Sequence, residues 1–340
     1  MNLFERLYYA GFSLKQRYAT GRRKRLPFRV ISIGNLTTGG TGKTPATIAI
    51  AKEALARGLS PIILTRGYRG KAKGPCFVTK GEAPLLTAEE AGDEPLLMAS
   101  RLRGVPIVKG PDRYESGTFA IEALGLNQEQ GSSGTIFLLD DGFQHFRLYR
   151  DLDIVLIDGE HPFGRGRLLP TGRLREPLTS LCRANTMVIT KGRNTSGSSG
   201  PDTEMIFRTV RKHNPSAKVH SAGHLPVTAG DSKGTGHPVS IIAGEPVFGF
   251  CGIASPDSFQ RTLTEAGAVI SGFRSYPDHH SYKASDIALV AKEAEESKCR
   301  WIVTTEKDII KIGHLDLPEN TLIIGIEFCV DSSFFDQILG

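Results

Sequence analysis

Short apolar, β-branched stretches alternate with helix-like stretches along most of this 340-residue chain. Continuous hydrophobic runs of this kind are typical of strands in a parallel sheet that helices cover on both faces. The predicted strands lie at Arg29–Ile33, Pro61–Thr65, Val105–Val108, Thr135–Leu139, Asp153–Ile157 and Thr186–Thr190. The predicted helices between them lie at Pro45–Arg57, Ala88–Leu102 and Tyr114–Leu124. We therefore expect an α/β fold that binds its ligand at the carboxyl ends of the strands.

The same alternation resumes after residue 240. Predicted strands follow at Val247–Gly252, Ala268–Gly272, Trp301–Thr305 and Thr321–Gly325, with helices near Pro256–Ala266 and Lys283–Ser297. We expect three parts: an amphipathic basic N-terminal helix at the membrane interface (1–27), a nucleotide-binding domain (28–235), and a smaller C-terminal α/β domain (240–340) that closes the active-site cleft.

The N-terminal segment is helical in pattern and basic in charge. Its apolar residues recur at helical spacing, at Leu3, Phe4, Leu7, Tyr8, Ala10, Gly11 and Leu14. The first 30 residues hold eight basic side chains and one acidic one, whereas the whole chain has a net charge of +6. Two interpretations remain open: a helix lying on an anionic membrane surface, or a helix packed on its own domain with a solvated basic tail. The basic residues end before the main domain, so we expect no nucleic-acid partner.

Two other features of the whole sequence bear on the cellular compartment in which the protein works. No N-terminal run approaches the roughly 20 apolar residues that cross a bilayer, and no signal-peptide pattern is present. The five cysteines are scattered and form no CxxC pair. That usage favours free thiols in a reducing compartment over disulfides or a zinc site.

The stretch "GNLTTGGTGKTP" (residues 34–45) follows a predicted strand and precedes a predicted helix. Glycines there can expose backbone N–H groups to phosphate, a lysine can reach the β- and γ-phosphates, and a threonine can bind Mg²⁺. The leading glycine of the usual pattern is displaced, because position 37 is Thr. We expect a P-loop, and hence a P-loop NTPase-like fold, whose nucleotide-binding residues are Thr38, Gly39, Gly40, Thr41, Gly42, Lys43 and Thr44.

The nucleotide and the metal follow from two further patterns. "TIFLLDDGFQH" is an apolar strand that ends in Asp140-Asp141, so we expect Thr44, Asp140 and Asp141 to hold Mg²⁺, without deciding which aspartate touches it. His145 is either functional or structural. Thr190-Lys191-Gly192-Arg193 begins the guanine-reading pattern of switch GTPases but lacks its Asp, which favours ATP.

Eight stretches, taken together and in this order, resemble the tetraacyldisaccharide 4′-kinase family, the lipid A 4′-kinases of Gram-negative bacteria. They are "VISIGNLTTGGTGKTP", "LTRGYRG", "EEAGDEP", "GPDRYE", "LLDDGFQH", "LLPTGRLREP", "YPDHHSY" and "TTEKD". The resemblance implies ATP- and Mg²⁺-dependent phosphorylation of the 4′-hydroxyl of a tetraacyldisaccharide 1-phosphate, giving the 4′-phosphorylated lipid A precursor (lipid IVA) of lipopolysaccharide biosynthesis. It also implies work at the cytoplasmic face of the bacterial inner membrane, and we expect no obligate protein partner.

The resemblance also assigns roles to residues. Asp112 matches the family's catalytic base and His279 a histidine that assists it, with His280 as the alternative. Lys43 and Asp141 complete the expected catalytic set. An anionic, acylated sugar would be bound by arginines and an aromatic side chain, for which Tyr68, Arg113 and Arg175 are the candidates, beside Arg173 and Lys307.

Two expectations moderate this assignment. The family often begins with a strongly apolar N-terminal helix, whereas this segment carries many polar residues, so we expect peripheral membrane attachment. The alternative function is a P-loop switch or metal-delivery ATPase. That class would favour an early signature lysine in the loop, where this chain has Thr38, and CxxC or His-rich segments, which this chain lacks.

Overall fold

The computed structural model describes residues 2–126, 134–190, 201–231, 233–313 and 315–340. The described chain forms two compact units, one of Met1–His224 with Phe328–Gly340 and one of Leu225–Glu327. This division differs from the predicted parts at 1–27, 28–235 and 240–340: the first unit includes the N-terminal helix and Phe328–Gly340, and the second unit begins at Leu225. Lys191 to Arg193 of the guanine-reading pattern lie outside the described residues.

The helices and strands are numbered in chain order. The helices are α1 Leu3–Gly21, α2 Lys43–Ala56, α3 Ala88–Ala91, α4 Asp93–Arg101, α5 Arg113–Ala123, α6 Pro201–His213, α7 Pro256–Glu265, α8 Ala284–Glu296, α9 Glu306–Ile312 and α10 Ser332–Leu339. The strands are β1 Arg29–Asn35, β2 Ser60–Thr65, β3 Cys76–Lys80, β4 Pro106–Lys109, β5 Thr135–Asp140, β6 Leu152–Asp158, β7 Thr186–Thr190, β8 Lys218–Asp231, β9 Gly236–His237, β10 Pro246–Cys251, β11 Val269–Ser275, β12 Trp301–Thr305 and β13 Thr321–Val330.

The first unit is built on a mainly parallel sheet, as predicted. Its strand order is β8-β7-β6-β1-β5-β2-β4-β3. Every neighbouring pair is parallel except β3 and β4, which are antiparallel. β1 lies between β5 and β6, and Ile33 of β1 is level with Asp140 of β5. This register places the loop after β1 beside the aspartate pair at the carboxyl end of β5.

Both faces of this sheet are buried, which explains the continuous hydrophobic runs in the sequence. Successive residues of a strand point to opposite faces. Ile31 and Leu138 pack in a cluster that includes residues of α2, α4 and α10, whereas Val30 and Phe137 pack in a cluster on α5. The α/β fold class predicted from the sequence is therefore confirmed.

The second unit repeats the pattern on a smaller scale. Its parallel strands follow the order β11-β10-β12-β13, and β9 pairs antiparallel with the end of β8. Phe259 and Leu263 of α7 pack in one apolar cluster, and Ile287 and Val290 of α8 pack in another. The carboxyl ends of β10, β11 and β12 each continue into a loop or helix with polar side chains.

The predicted helix at Ala88–Leu102 is two helices. α3 ends and α4 begins at Gly92, whose φ of +92° lies in the range that favours glycine. A Cβ at this position would lie 2.5 Å from the carbonyl oxygen of Tyr68. The break therefore allows the loop that carries Tyr68 to approach the α3–α4 junction closely.

The N-terminal helix α1 packs on the first unit through one face. The Tyr8 hydroxyl donates to the carbonyl oxygen of Arg175 at 2.9 Å, and the rings of Phe12 and Phe146 meet edge to face at 5.8 Å between centroids. Tyr8 thus lies on the packed face, not with the other apolar residues of the predicted amphipathic pattern. Among the described residues, no helix is both long enough and apolar enough to cross a membrane.

Candidate active site

The loop after β1 has the conformation of a phosphate-binding loop at a helix N-terminus. Gly39 and Gly42 have φ values of +119° and +85°. A Cβ on Gly42 would lie 2.2 Å from Nε2 of His224, and one on Gly39 would lie 2.2 Å from the Arg173 guanidinium. Only glycine fits at either position. The close turn leads directly into α2, whose first N–H groups and dipole favour an anion.

Lys43 is the first residue of α2 and lies at the acidic end of β5. Its Nζ is 3.4 Å from Oδ1 of Asn35 and 3.6 Å from Oδ1 of Asp141. Thr44 follows it and is buried. The other predicted nucleotide-binding residues share this loop: Thr38, Gly39, Gly40, Thr41 and Gly42. The structure thus brings the predicted loop and the predicted acidic pair together.

The two adjacent aspartates have different surroundings. Asp140 is buried and accepts hydrogen bonds from Thr65 at 3.0 Å and Thr47 at 3.5 Å. Burial, with the charges of Glu94 and Asp141, raises the pKa of Asp140 to about 6. For Asp141 burial acts in the same direction, but Lys43 and Arg175 together outweigh it and lower its pKa to about 2. Asp141 is therefore an anion at any physiological pH.

These oxygens suit a magnesium ion. Mg²⁺ prefers oxygen ligands and is commonly held by one or two carboxylates, several waters and substrate phosphates. Thr44, Asp140 and Asp141 offer a hydroxyl and two carboxylates next to the phosphate-binding loop. Within the described ranges, no group of three or more His, Cys, Asp or Glu side chains forms a closed metal cage. These three oxygen-bearing side chains therefore fit a Mg²⁺ ion that is also bound by the phosphates of the nucleotide.

Asp112 caps the N-terminus of α5. Its Oδ1 accepts hydrogen bonds from the main-chain N–H groups of Tyr114 at 2.9 Å and Glu115 at 3.5 Å. Its Oδ2 accepts a hydrogen bond from Arg147. Nε2 of His145 lies 3.8 Å from Oδ1. The predicted catalytic base is thus a buried, oriented carboxylate, and both oxygens have partners in the first unit.

His145 is held in its neutral form. Its Nε2 accepts a hydrogen bond from the main-chain N–H of Arg113 at 3.3 Å, so the proton of the neutral ring resides on Nδ1. Burial and the charge of Arg113 lower the pKa of His145 to about 4. These contacts indicate that His145 supports the loop around Asp112, which the sequence alone left undecided.

The predicted substrate-binding arginines occupy unlike positions. Arg113 is buried and donates to the carbonyl oxygens of Gly110 at 3.0 Å and Asp140 at 3.3 Å. Burial lowers its pKa to about 10. Arg175 pairs with Asp141 at 2.8 Å, and Arg173 donates to the carbonyl oxygen of Thr38 at 3.0 Å. These contacts hold the loops and the carboxylate of the site in place. Binding of a lipid by Arg113 or Arg175 stays a prediction.

Tyr68 is presented outward on a closely packed loop. The side chain is 59% exposed. Cβ atoms at Gly67 and Gly70 would each lie under 3 Å from the buried side chain of Lys109. The Lys109 ammonium donates to the carbonyl oxygen of Glu90. Tyr68 is therefore an exposed side chain on a closely packed loop at the carboxyl ends of β2 and β4.

The two adjacent histidines of the second unit, His279 and His280, have different contacts. Nε2 of His280 lies 3.0 Å from Asp286, and its ring stacks on Tyr276 at 4.6 Å, so it supports the start of α8. His279 has a left-handed φ of 61°, and its Nε2 is 3.6 Å from Asp278. This arrangement favours His279 as the candidate. Asp112 belongs to the first unit and His279 to the second, so their contact stays a prediction.

Sequence reasoning missed several residues of the site. Glu176 is fully buried and receives hydrogen bonds from Gln144 at 2.8 Å and Arg183 at 2.7 Å. Gln144 also donates to the carbonyl oxygen of Asn35 at 2.9 Å. Gln144 lies in "LLDDGFQH" and Glu176 lies in "LLPTGRLREP", two of the stretches that carry the family resemblance. Membership of these stretches was the sequence signal that could have identified them. Nothing local marks Arg147 as the partner of Asp112.

Comparisons with known proteins identify the family of the chain. A family model described as tetraacyldisaccharide-1-P 4′-kinase matches residues 1–340. A tetraacyldisaccharide 4′-kinase of Syntrophus aciditrophicus is 38% identical over 100% of this chain and 91% of the relative. One of Desulfotalea psychrophila is 38% identical over 89% of this chain and 85% of the relative.

The fold has a counterpart among solved structures. The crystal structure of the "apo" form of LpxK from Aquifex aeolicus in complex with ATP matches with a TM-score of 0.75 and 31% sequence identity. The match covers 99% of this chain and 96% of that one. Because the family model and the relatives match over nearly the whole length, this chain belongs to the tetraacyldisaccharide 4′-kinase family.

Proposed function

We propose that this protein transfers the γ-phosphoryl group of ATP to the 4′-hydroxyl of a tetraacyldisaccharide 1-phosphate. The product is the 4′-phosphorylated precursor of lipid A. The observation that carries the proposal is the pairing of a phosphate-binding loop after β1 with Asp140-Asp141 at the carboxyl end of the adjacent β5, in a chain that belongs to this family throughout. Among the residues that the structure describes, no feature of the site specifically favours the switch or metal-delivery ATPase.

ATP is bound by the first unit. The main-chain N–H groups of residues 38–44 and the N-terminus of α2 surround its phosphates, and Lys43 meets the β- and γ-phosphates. Thr44, Asp140 and Asp141 are the residues that would hold Mg²⁺, and the ion would supply neutralisation of phosphate charge. Arg175 keeps the Asp141 carboxylate oriented through contacts to both of its oxygens.

The sugar hydroxyl is activated by Asp112. Its carboxylate orients the acceptor hydroxyl and takes its proton as the phosphoryl group is transferred. Arg147 and the N-terminus of α5 fix the direction of this carboxylate. His279 is the second group that the family resemblance assigns to the transfer. Positioning and charge neutralisation supply most of the catalysis of such reactions.

The enzyme reaches its lipid substrate while helix α1 lies on a membrane surface. Leu3, Phe4, Leu7, Leu14 and Tyr18 of α1 are all exposed. At about 100° per residue they fall within roughly one quadrant of the helix, next to the packed face that holds Tyr8 and Phe12. Arg6, Lys15 and Arg17 lie at the borders of this stripe and suit anionic headgroups. We infer peripheral attachment at the cytoplasmic face of the inner membrane, with Tyr68 beside the sugar.

The test is transfer of label from γ-labelled ATP to purified tetraacyldisaccharide 1-phosphate in detergent micelles with Mg²⁺. The expected product is a bis-phosphorylated lipid labelled at the 4′ position, absent with Lys43→Ala or with a chelator. Lys52→Ala, on the exposed side of the same helix, is the matched control and keeps full activity. ATP-binding protein that transfers no label to this lipid would overturn the proposed substrate.

A further inference from the structure

A fully buried carboxylate organises the carboxyl edge of the second unit. Asp308, in the "TTEKD" stretch, accepts hydrogen bonds from the Tyr282 hydroxyl at 3.0 Å, from Thr305 at 2.6 Å and from the main-chain N–H of Gly252 at 2.9 Å. It also forms an ion pair with Nζ of Lys311 at 2.8 Å. These four donors surround its two oxygens and compensate for the burial of its charge.

The ion pair holds both main-chain polar groups of Gly252. Its N–H donates to Asp308, and its carbonyl oxygen accepts from Nζ of Lys311 at 2.7 Å. The same carbonyl oxygen accepts the main-chain N–H of His279 at 3.3 Å. A Cβ on Gly252 would lie 3.1 Å from the Tyr282 hydroxyl, so the backbone passes tightly through this point. A continuous set of contacts therefore runs from Asp308 to the backbone of His279.

His279 needs such support because its backbone is strained. A left-handed φ of 61° is uncommon outside glycine and costs on the order of 1 kcal/mol or more unless the surroundings enforce it. The hydrogen bond from the main-chain N–H of His279 to Gly252 holds this turn, and Nε2 of His279 lies 3.6 Å from Oδ2 of Asp278. The strained backbone fixes the direction in which the imidazole leaves the chain.

The buried ion pair between Asp308 and Lys311 fixes the positions of the atoms around it more than it adds to stability. A buried ion pair contributes little net stability compared with apolar side chains of similar size, because its desolvation offsets its attraction. A pair with fixed hydrogen bonds instead specifies one arrangement of the atoms around it. Here that arrangement determines the position of Gly252, and through it the position of His279.

We propose that Asp308 and Lys311 are positioning residues for His279, acting through the main chain of Gly252. This inference rests on the proposed role of His279 in phosphoryl transfer. It gives the "TTEKD" stretch a function within the second unit, in place of direct contact with the lipid. Nζ of Lys307, in the same stretch, lies 3.4 Å from Oδ1 of Asp278, the residue before His279.

The first test is Asp308→Asn in the full-length enzyme. We expect kcat to fall between about tenfold and 100-fold, as for other misplacements of about 1 Å, with an unchanged KM for ATP. Tyr282→Phe is the matched control, because it removes a hydrogen bond to the same carboxylate but leaves both contacts of Gly252, and it keeps kcat. Equal losses in both variants would overturn the proposal. If Asp308→Asn does not fold, the double change Asp308→Asn with Lys311→Met leaves no unpaired buried charge and is expected to show the same loss.

A double-mutant cycle tests the route. If Asp308 acts through His279, adding Asp308→Asn to His279→Ala lowers kcat no further, whereas losses that multiply overturn the proposal. Amide hydrogen exchange at His279, measured by NMR, is expected to quicken in Asp308→Asn, and unchanged exchange would overturn the positioning itself. A fully active His279→Ala enzyme with quickened exchange in Asp308→Asn would instead overturn the proposed catalytic role of His279.

Discussion

Arg175 donates from Nη1 to both carboxylate oxygens of Asp141, at 2.9 and 2.8 Å. Nζ of Lys43 lies 3.6 Å from Oδ1 of the same carboxylate. Asp141 also has a left-handed φ of 50°, so its backbone is strained. Its side chain is constrained by the two cations. Two cations and a strained turn thus orient the carboxylate that is expected to meet Mg²⁺ and the γ-phosphate.

Arg175→Ala is expected to weaken metal-dependent catalysis. Without the arginine, the Asp141 carboxylate can rotate, and misplaced catalytic groups cost about 10- to 100-fold in rate. We expect kcat to fall within that range and half-maximal activity to require more Mg²⁺. Initial rates measured over a Mg²⁺ titration check this. Arg25→Ala removes an exposed ion pair with Asp151 and should leave both quantities unchanged; a loss of rate with the same Mg²⁺ dependence would contradict the assignment to Asp141.

Two substitutions at Asp112 separate its chemical role from its structural one. Asparagine also caps helices well, so Asp112→Asn keeps the cap on α5, whereas Asp112→Ala costs about 1 kcal/mol of stability. A base contributes about 100-fold or more to transfer. We therefore expect both variants to lose at least that factor in kcat with unchanged ATP affinity, while only the alanine variant melts at a lower temperature.

The opposite pattern would assign Asp112 to structure alone. In that case the asparagine variant would keep full kcat, and the activity of the alanine variant would follow its stability. Steady-state kinetics, calorimetric melting and nucleotide titration on the same preparations distinguish the two patterns.

The part of the fold that the sequence predicts well is the part whose residues carry a strong local signal. The buried parallel strands are continuous apolar runs, and the loop at residues 34–45 lies between a strand and a helix as expected. β8 was missed because its residues, Lys218–Asp231, are mostly half-exposed and include polar side chains and two glycines, so no period is visible. The break at Gly92 was missed because its cause is the backbone of Tyr68, more than 20 residues away.

The same distinction applies to the site. Lys43 and the pair Asp140-Asp141 are recognisable because a short pattern surrounds each of them. The ion partners of the two key aspartates, Arg147 and Arg175, lie about 35 residues from them in sequence. Tertiary packing alone determines those contacts. The resemblance includes the stretch that contains Arg175 but not Arg147, and it could not assign the partner of either arginine.

His145 is expected to make stability fall as the pH is lowered. Its pKa is about 4 in the folded protein and about 6.5 in the unfolded chain. Between these values the unfolded chain binds a proton that the folded protein does not, so the free energy of unfolding decreases as pH falls from about 6.5 towards 4. The contribution of this one group is up to about 3 kcal/mol, and it is fully present above pH 6.5.

His145→Gln isolates that contribution, because glutamine does not titrate but retains an acceptor for the N–H of Arg113. We expect the denaturant-derived stability of the wild type to decline more steeply than that of the variant between pH 6.5 and 4. Other groups, such as Asp140 with its raised pKa, titrate in both proteins and cancel in the comparison. Parallel curves for the two proteins would show that His145 is protonated in the folded state after all.

The exposed stripe of α1 is expected to control membrane binding without affecting the chemistry. Leu14 lies in this stripe and is 68% exposed. Burial of a leucine in the membrane interface stabilises binding by about 1.5–3 kcal/mol, so Leu14→Glu should weaken binding to anionic vesicles by at least about tenfold. Thr20→Glu adds the same charge at an exposed position outside the stripe and is the matched control.

Sedimentation with vesicles that contain anionic lipid measures this binding, and two transfer assays connect it to activity. With the lipid substrate in vesicles, Leu14→Glu should lower the rate in proportion to the loss of binding, because less enzyme reaches the substrate. With the substrate in detergent micelles at saturating concentration, the variant and the wild type should have the same kcat, because residue 14 contacts none of the catalytic groups. Equal losses for Leu14→Glu and Thr20→Glu would assign the effect to net charge, and unchanged vesicle binding in Leu14→Glu would exclude this stripe as the membrane contact.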